Sequence, residues 1–273
     1  MKKKYDLVLG FGPACSCSQM LRLAKLQLLS FPFDWIGPQW GVWSWDSDVR
    51  RKADMLVSGF SKLLNEEDFR FRGNHDNGKA DYINDRLGYI FLHDFPQSVP
   101  LAESFPAVAA KYRRREKRLV ELIGRSKKVL VARLDRPDLD YRTPDDDCRY
   151  ARETLSKAFP SARFDFLLVQ QDASIPFGRR RLETVEPGFF RLRFDYLDRR
   201  PGADRKQPRT DLTSAAVAKL FSVRDYRTKE EIAAHREKKR REHLTKRGGE
   251  SSLLRRWRRF ISLFWKDASP ASS

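Results

Sequence analysis

The amino-acid sequence predicts a mixed α+β domain over residues 1–226 and a basic helical tail over 227–273. Two observations carry the domain. Short apolar runs of strand length, such as Tyr5 to Leu9, Tyr89 to Leu92 and Val129 to Ala132, are interspersed with longer segments whose apolar residues recur every three to four positions. A chain of 273 residues with 40% hydrophobic content can also bury a sizeable core. A third observation sets off the tail. From about Thr228 the composition becomes a charged helix, then Gly248-Gly249, then an apolar-basic stretch. The order of elements admits α/β as well, but α+β is the class expected.

Each element has its own signal. Tyr5 to Leu9 reads as a strand ended by Gly10, Gly12 and Pro13. Residues 15–29 place Met20, Leu21, Ala24 and Leu28 at helical spacing. Two prolines keep residues 30–38 out of a regular helix. Residues 48–64 are helical, with Val49, Ala53, Leu56 and Phe60 on one face. The polar stretch 65–85, with Gly73-Asn74 and Asn77-Gly78, reads as turns. A strand over 88–95 leads to His93, and a helix over 105–123 is closed by Gly124. Strands follow at 127–134, 164–169 and 189–194, with helices at 146–159 and 213–221 and a polar linker at 199–209.

Net charge is +18. The tail holds 14 basic against 6 acidic residues, a net of +8, which leaves +10 on the body. Such a balance suits anionic partners without choosing among nucleic acid, phospholipid and acidic glycan. Three cysteines make no disulfide framework in a chain this long, so a reducing compartment is expected. The basic start Met1 to Lys4 precedes an apolar run too short for a signal peptide core, and no 18-residue apolar segment exists to cross a bilayer.

Cys15 stands just past Gly12-Pro13, where a helix begins. A helix N-terminus stabilises a thiolate. The competing reading is a small buried apolar residue. Cys17, two positions on, points about 200° around the helix and is assigned to packing. Of the four histidines, only His93 ends an apolar strand. His235 and His243 lie in the charged tail, and His75 in a polar loop. Asp34 and its neighbours Phe33 and Trp35 read as a structural corner. Trp40, Trp43 and Trp45 read as a core cluster or a binding wall.

At Tyr5 to Gly10, Gly12 to Cys15, Phe31 to Trp35, Phe91 to Phe95 and Lys111 to Arg115, the chain resembles a bacterial family described as papain-like cysteine peptidases, over about residues 5–135. The resemblance implies a papain-like fold in which Cys15 attacks a carbonyl and His93 moves the proton. A third residue that orients the imidazole would come from a later strand. Asp135 fits that order, with Asp94 and Asp138 as alternatives. The implied function is a thiol-dependent hydrolase or acyltransferase of the bacterial cytoplasm, acting on a peptide, acyl or glycan-linked substrate, with no cofactor and no metal. Papain's own glutamine precedes its cysteine. Here Gly10, Phe11 and Gly12 occupy that region, which sets proteolysis apart from the rest of the expectation. The rival class is a non-catalytic protein that binds anionic glycan, lipid or nucleic acid.

The helical face of Lys111 to Arg118 reads equally as a phosphate site or a solvated face. Residues 253–266 place Leu253, Leu254, Trp257, Phe260, Ile261 and Phe264 on one side and Arg255, Arg258 and Arg259 on the other. That split predicts an interfacial helix on an anionic membrane surface, peripheral to the inner membrane, with nucleic acid the less favoured partner.

Overall fold

The computed structural model describes residues 2–39, 48–75, 78–136, 142–197, 208–234, 236–237 and 240–241. The chain divides into a unit of Met1–Tyr226 and a second of Arg227–Ser273. In the second unit, residues 229–234 are helical. Thr228 Oγ1 accepts from the Glu231 amide at 3.2 Å, and Glu231 accepts from the Thr228 amide at 3.0 Å, a reciprocal cap that starts the helix. Segment 253–266, Trp40, Trp43, Trp45 and Asp138 lie outside the described residues.

The first unit is mixed α+β. Its centre is a five-stranded sheet built from β2 (Leu7–Gly10), β7 (Lys128–Leu134), β8 (Arg163–Gln171), β9 (Arg181–Glu186) and β10 (Phe189–Phe194). The spatial order is β2-β7-β8-β10-β9. The first four strands run parallel, and β9 is an antiparallel edge. A second sheet is wholly antiparallel, with β3 (Ile36–Pro38), β6 (Tyr89–Pro96), β5 (Lys79–Asn84) and β4 (Phe69–Asn74) in that order. A small parallel pair joins β1 (Lys3–Tyr5) to β11 (Phe221–Val223).

Among the described residues the unit also holds the α-helices α1 (Cys15–Leu23), α2 (Asp48–Ser58), α3 (Leu101–Arg125), α4 (Asp145–Ala158) and α5 (Thr210–Leu220). The central strands β2, β7 and β8 are mostly apolar, with Arg133, Asp165 and Gln170 as buried exceptions, because both their faces are covered. Alternate residues serve alternate faces. Leu7, Leu9, Val129, Val131, Phe166 and Leu168 share a core with α2, α3, α4 and the second sheet. Val8, Leu130, Ala132, Leu167 and Val169 meet Cys17, Met20 and Leu21 of α1 and Val217 of α5. Each such side chain, fully removed from water, contributes roughly 1.5–3 kcal/mol.

Several boundaries differ from expectation. α1 stops at Leu23 rather than Leu29, because Lys25 turns left-handed at φ 58°. The Leu26 amide then reaches Leu21 O at 2.8 Å and the Lys25 amide reaches Arg22 O at 3.0 Å, which closes the helix. α2 ends at Ser58, six residues early, and α3 runs through Gly124. The polar stretch read as turns holds both β4 and β5, while β1, β9 and β11 were not expected.

Candidate functional site

In open parallel sheets, ligands bind beyond the carboxyl ends of the strands. Cys15 sits there, five residues past the end of β2, as the first residue of α1. The path to it is tight. A Cβ on Gly12 would lie 2.1 Å from Cys17 Cβ, and one on Gly37 would lie 2.6 Å from Pro13 O, so glycine is required at both. The Cys15 thiol is half-buried and accepts a long contact from Gln19 Nε2 at 3.9 Å. Burial pushes the thiol up from its ordinary value, while the Arg136 guanidinium and the backbone amides of Cys15 and Ser16 pull it down; the net direction is up. Cys17 has the packing role expected. It is buried, donates to Ala132 O at 3.4 Å, and burial pushes it to about 11.

Behind this turn lies a charged cluster that the sequence reading missed. Arg133, Asp48 and Lys52 are fully buried. Arg133 Nη1 donates to Phe11 O at 2.9 Å and to Asp48 Oδ2 at 2.7 Å. Lys52 Nζ donates to Gly12 O at 2.6 Å and to Asp48 Oδ2 at 3.2 Å, and Tyr89 OH donates to Asp48 Oδ1 at 3.0 Å. Two cations and one carboxylate therefore pin the carbonyls of the turn that presents Cys15. An arginine inside the apolar run Val129 to Leu134 was the available signal. Asp48 and Lys52, one helical turn apart, carried no such signal, since charged residues at that spacing commonly pair on a helix surface.

Asp135 belongs to this cluster. Its carboxylate accepts from Arg133 Nε at 3.3 Å, Gln170 Nε2 at 3.0 Å and the Thr143 amide at 3.1 Å, and also from the Thr143 hydroxyl. It makes no hydrogen bond to His93. His93 lies on β6 of the other sheet, exposed, with its ring edge-on to Trp35 at 5.4 Å between centroids. Partial loss of water around the ring lowers its pKa, Asp94 opposes this, and His75 and Lys79 add to the lowering. A bulge explains its position. Phe91 pairs with Tyr82 and Phe95 with Ala80, so Leu92, His93 and Asp94 all stand opposite Asp81. The bulge turns His93 outward and Asp94 inward. Asp94 accepts from Tyr112 OH at 2.8 Å and pairs with Lys111. No hydrogen bond joins any two of Cys15, His93 and Asp135; the Asp135 carboxylate is held by Arg133, Thr143 and Gln170, and His93 stands against Trp35.

Asp34 is the structural corner expected. It is fully buried and accepts from Ser18 Oγ at 3.1 Å, Arg22 Nη2 at 3.0 Å, Gln27 Nε2 at 2.7 Å and the Phe31 amide at 2.8 Å. Trp35 is half-buried, between the Arg22 guanidinium at 5.5 Å and His93. The basic face of α3 is partly structural. Lys111 pairs with Asp94, Arg115 lies over the Tyr112 ring at 5.5 Å, and Arg118 donates to Ser30 O at 2.6 Å. Among the described residues, no group of three His, Cys, Asp or Glu side chains is placed to hold a metal ion.

The sequence matches no protein-family model, no curated protein and no solved structure.

Proposed function

We propose that this protein is a thiol-dependent hydrolase or acyltransferase with Cys15 as its nucleophile. The observation that carries the reading is the placement of a half-buried thiol on the first residue of α1, beyond the carboxyl edge of β2, with the positive charge of Arg136 near it. The first-turn amides of a helix can receive charge on sulfur and on the oxygen of a tetrahedral adduct. The thiol would lose its proton, sulfur would bond to the acyl carbon, and the leaving group would depart with a proton. Water or an acceptor then takes the acyl group and restores the thiol. The resemblance supplies His93 as the base and the papain-like form of the fold; the order Cys then His supports both. A catalytic His93 would hydrogen-bond the thiol in the substrate complex, a contact that apo geometry often leaves unmade. The substrate class stays a peptide, acyl or glycan-linked carbonyl compound, and the location the bacterial cytoplasm. Among the described residues, no helix is long and apolar enough to cross a membrane.

A second reading, non-catalytic binding of an anionic glycan, lipid or nucleic acid, is favoured by the upward shift of the thiol. Alkylation by iodoacetamide against pH, with the adduct located by mass spectrometry, separates the two. The enzyme reading expects Cys15 to be alkylated ahead of Cys17 and Cys148, Arg136→Gln to move the inflection to higher pH, and His93→Ala to slow acyl transfer from an aryl ester about tenfold or more. A Cys15 thiol no more reactive than the two buried cysteines, with no acyl adduct formed, leaves the binding reading in its place.

A further inference from the structure

A cavity opens past the carboxyl end of β10, between the loop leading into β9 and one face of α5. It offers about 520 Å³ of free space, its open mouth included. Its walls are apolar: Phe177 and Phe194 on one side, Leu212 and Ala216 of α5 on the other. Its cations are Arg179 and Arg180 on the loop and Lys219 on the helix. Neighbouring arginines are all occupied. Arg181 pairs with Glu183 at 2.9 Å, Arg193 with Asp172 at 3.7 Å, Arg191 with Asp145, and Arg209 with Asp211. Arg179, Arg180 and Lys219 have no carboxylate partner among the described residues. The one carboxylate among the described lining residues, Asp195, is 4% exposed and accepts from Gln171 Nε2 at 2.7 Å. Phe177 is 60% exposed, an aromatic ring left in water beside the two arginines.

We infer that this cavity binds a small amphipathic anion, a phosphate or carboxylate ester or acid with an apolar body. Adjacent arginines suit the planar, forked recognition of such groups, and an unburied ring gains by covering an apolar body. The site is independent of the thiol chemistry and stands whether or not Cys15 is a nucleophile.

Calorimetric titration of the full chain with 1-naphthyl phosphate tests it, against 1-naphthol and inorganic phosphate as the separate halves. The ester should bind, and each half at least tenfold more weakly. Arg179→Gln with Arg180→Gln should weaken the ester about tenfold and reduce its salt dependence, since screening acts on the lost charges. Phe177→Ser should weaken it similarly and keep the salt dependence. All three side chains are exposed, so the fold should persist; Lys219→Gln, with a smaller loss in the same sense, checks the site from the helix. Equal affinity for naphthol, no heat with the ester, or full affinity in both loop variants overturns the assignment.

Discussion

Lys25 occupies the left-handed position that closes α1, at φ 58°. A side chain there costs about 1–2 kcal/mol, and glycine avoids this while losing some of the gain to unfolded-state entropy. Lys25→Gly should therefore raise stability by about 0.5–1 kcal/mol in urea unfolding. A loss of stability would mean that the side chain makes a contact worth more than the strain.

Between elements, the least legible feature was the second sheet. β4 exposes most of its residues and carries Arg70 and Arg72, and β5 buries the polar Asp81 and Asn84, so neither shows the alternation by which strands are recognised. The bulge in β6 was equally hidden. Strict alternation puts His93 on the same side as Phe91 and Phe95, and only the pairing shows that it is not. Asp34 ties α1 to the chain entering β3 through four separate donors. Asp34→Ala would leave the Arg22 guanidinium and the Gln27 amide without their buried acceptor, and breaking such a group costs about 3–5 kcal/mol. The expected result is a large fall in the urea midpoint together with loosening of residues 26–35 in hydrogen exchange. Asp34→Asn should recover part of the midpoint. A variant that unfolds like the wild type would show that the aromatic packing of Phe31 and Phe33 holds the corner alone.

Across the whole molecule, the buried charges govern the response to acid. Burial pushes the Asp48 carboxyl up, but Lys52 and Arg133 overcome this and hold it below its ordinary 3.8. A carboxyl lowered by folding contributes stability that is complete above the ordinary value and is lost as pH falls through the folded one. Asp48→Asn should lower stability at pH 7 by about 3–5 kcal/mol, because two buried cations lose their counter-charge. The gap to wild type should narrow once the pH falls below the ordinary 3.8, where the unfolded chain's carboxyl takes up its proton and the wild type loses this stabilisation. Urea unfolding on both sides of that value measures this, and a gap that stays constant or widens in acid would remove Asp48 from the account. Mixed helix and strand content, the helical segments and most apolar strands could be read from periodicity. The parallel order of the central sheet could not, because it is set by pairings far apart in the chain. Phe11 and Arg133, which meet at the sheet's edge, are 122 residues apart. That separation has a consequence for biosynthesis. During translation, β2 leaves the ribosome long before β7, its neighbour in the central sheet, and β1 must wait for β11. While residues 11–127 are being made, Tyr5 to Leu9 is an apolar run without its strand partner. Long-range parallel pairing of this kind is slow to form and leaves such a run open to aggregation in the interval.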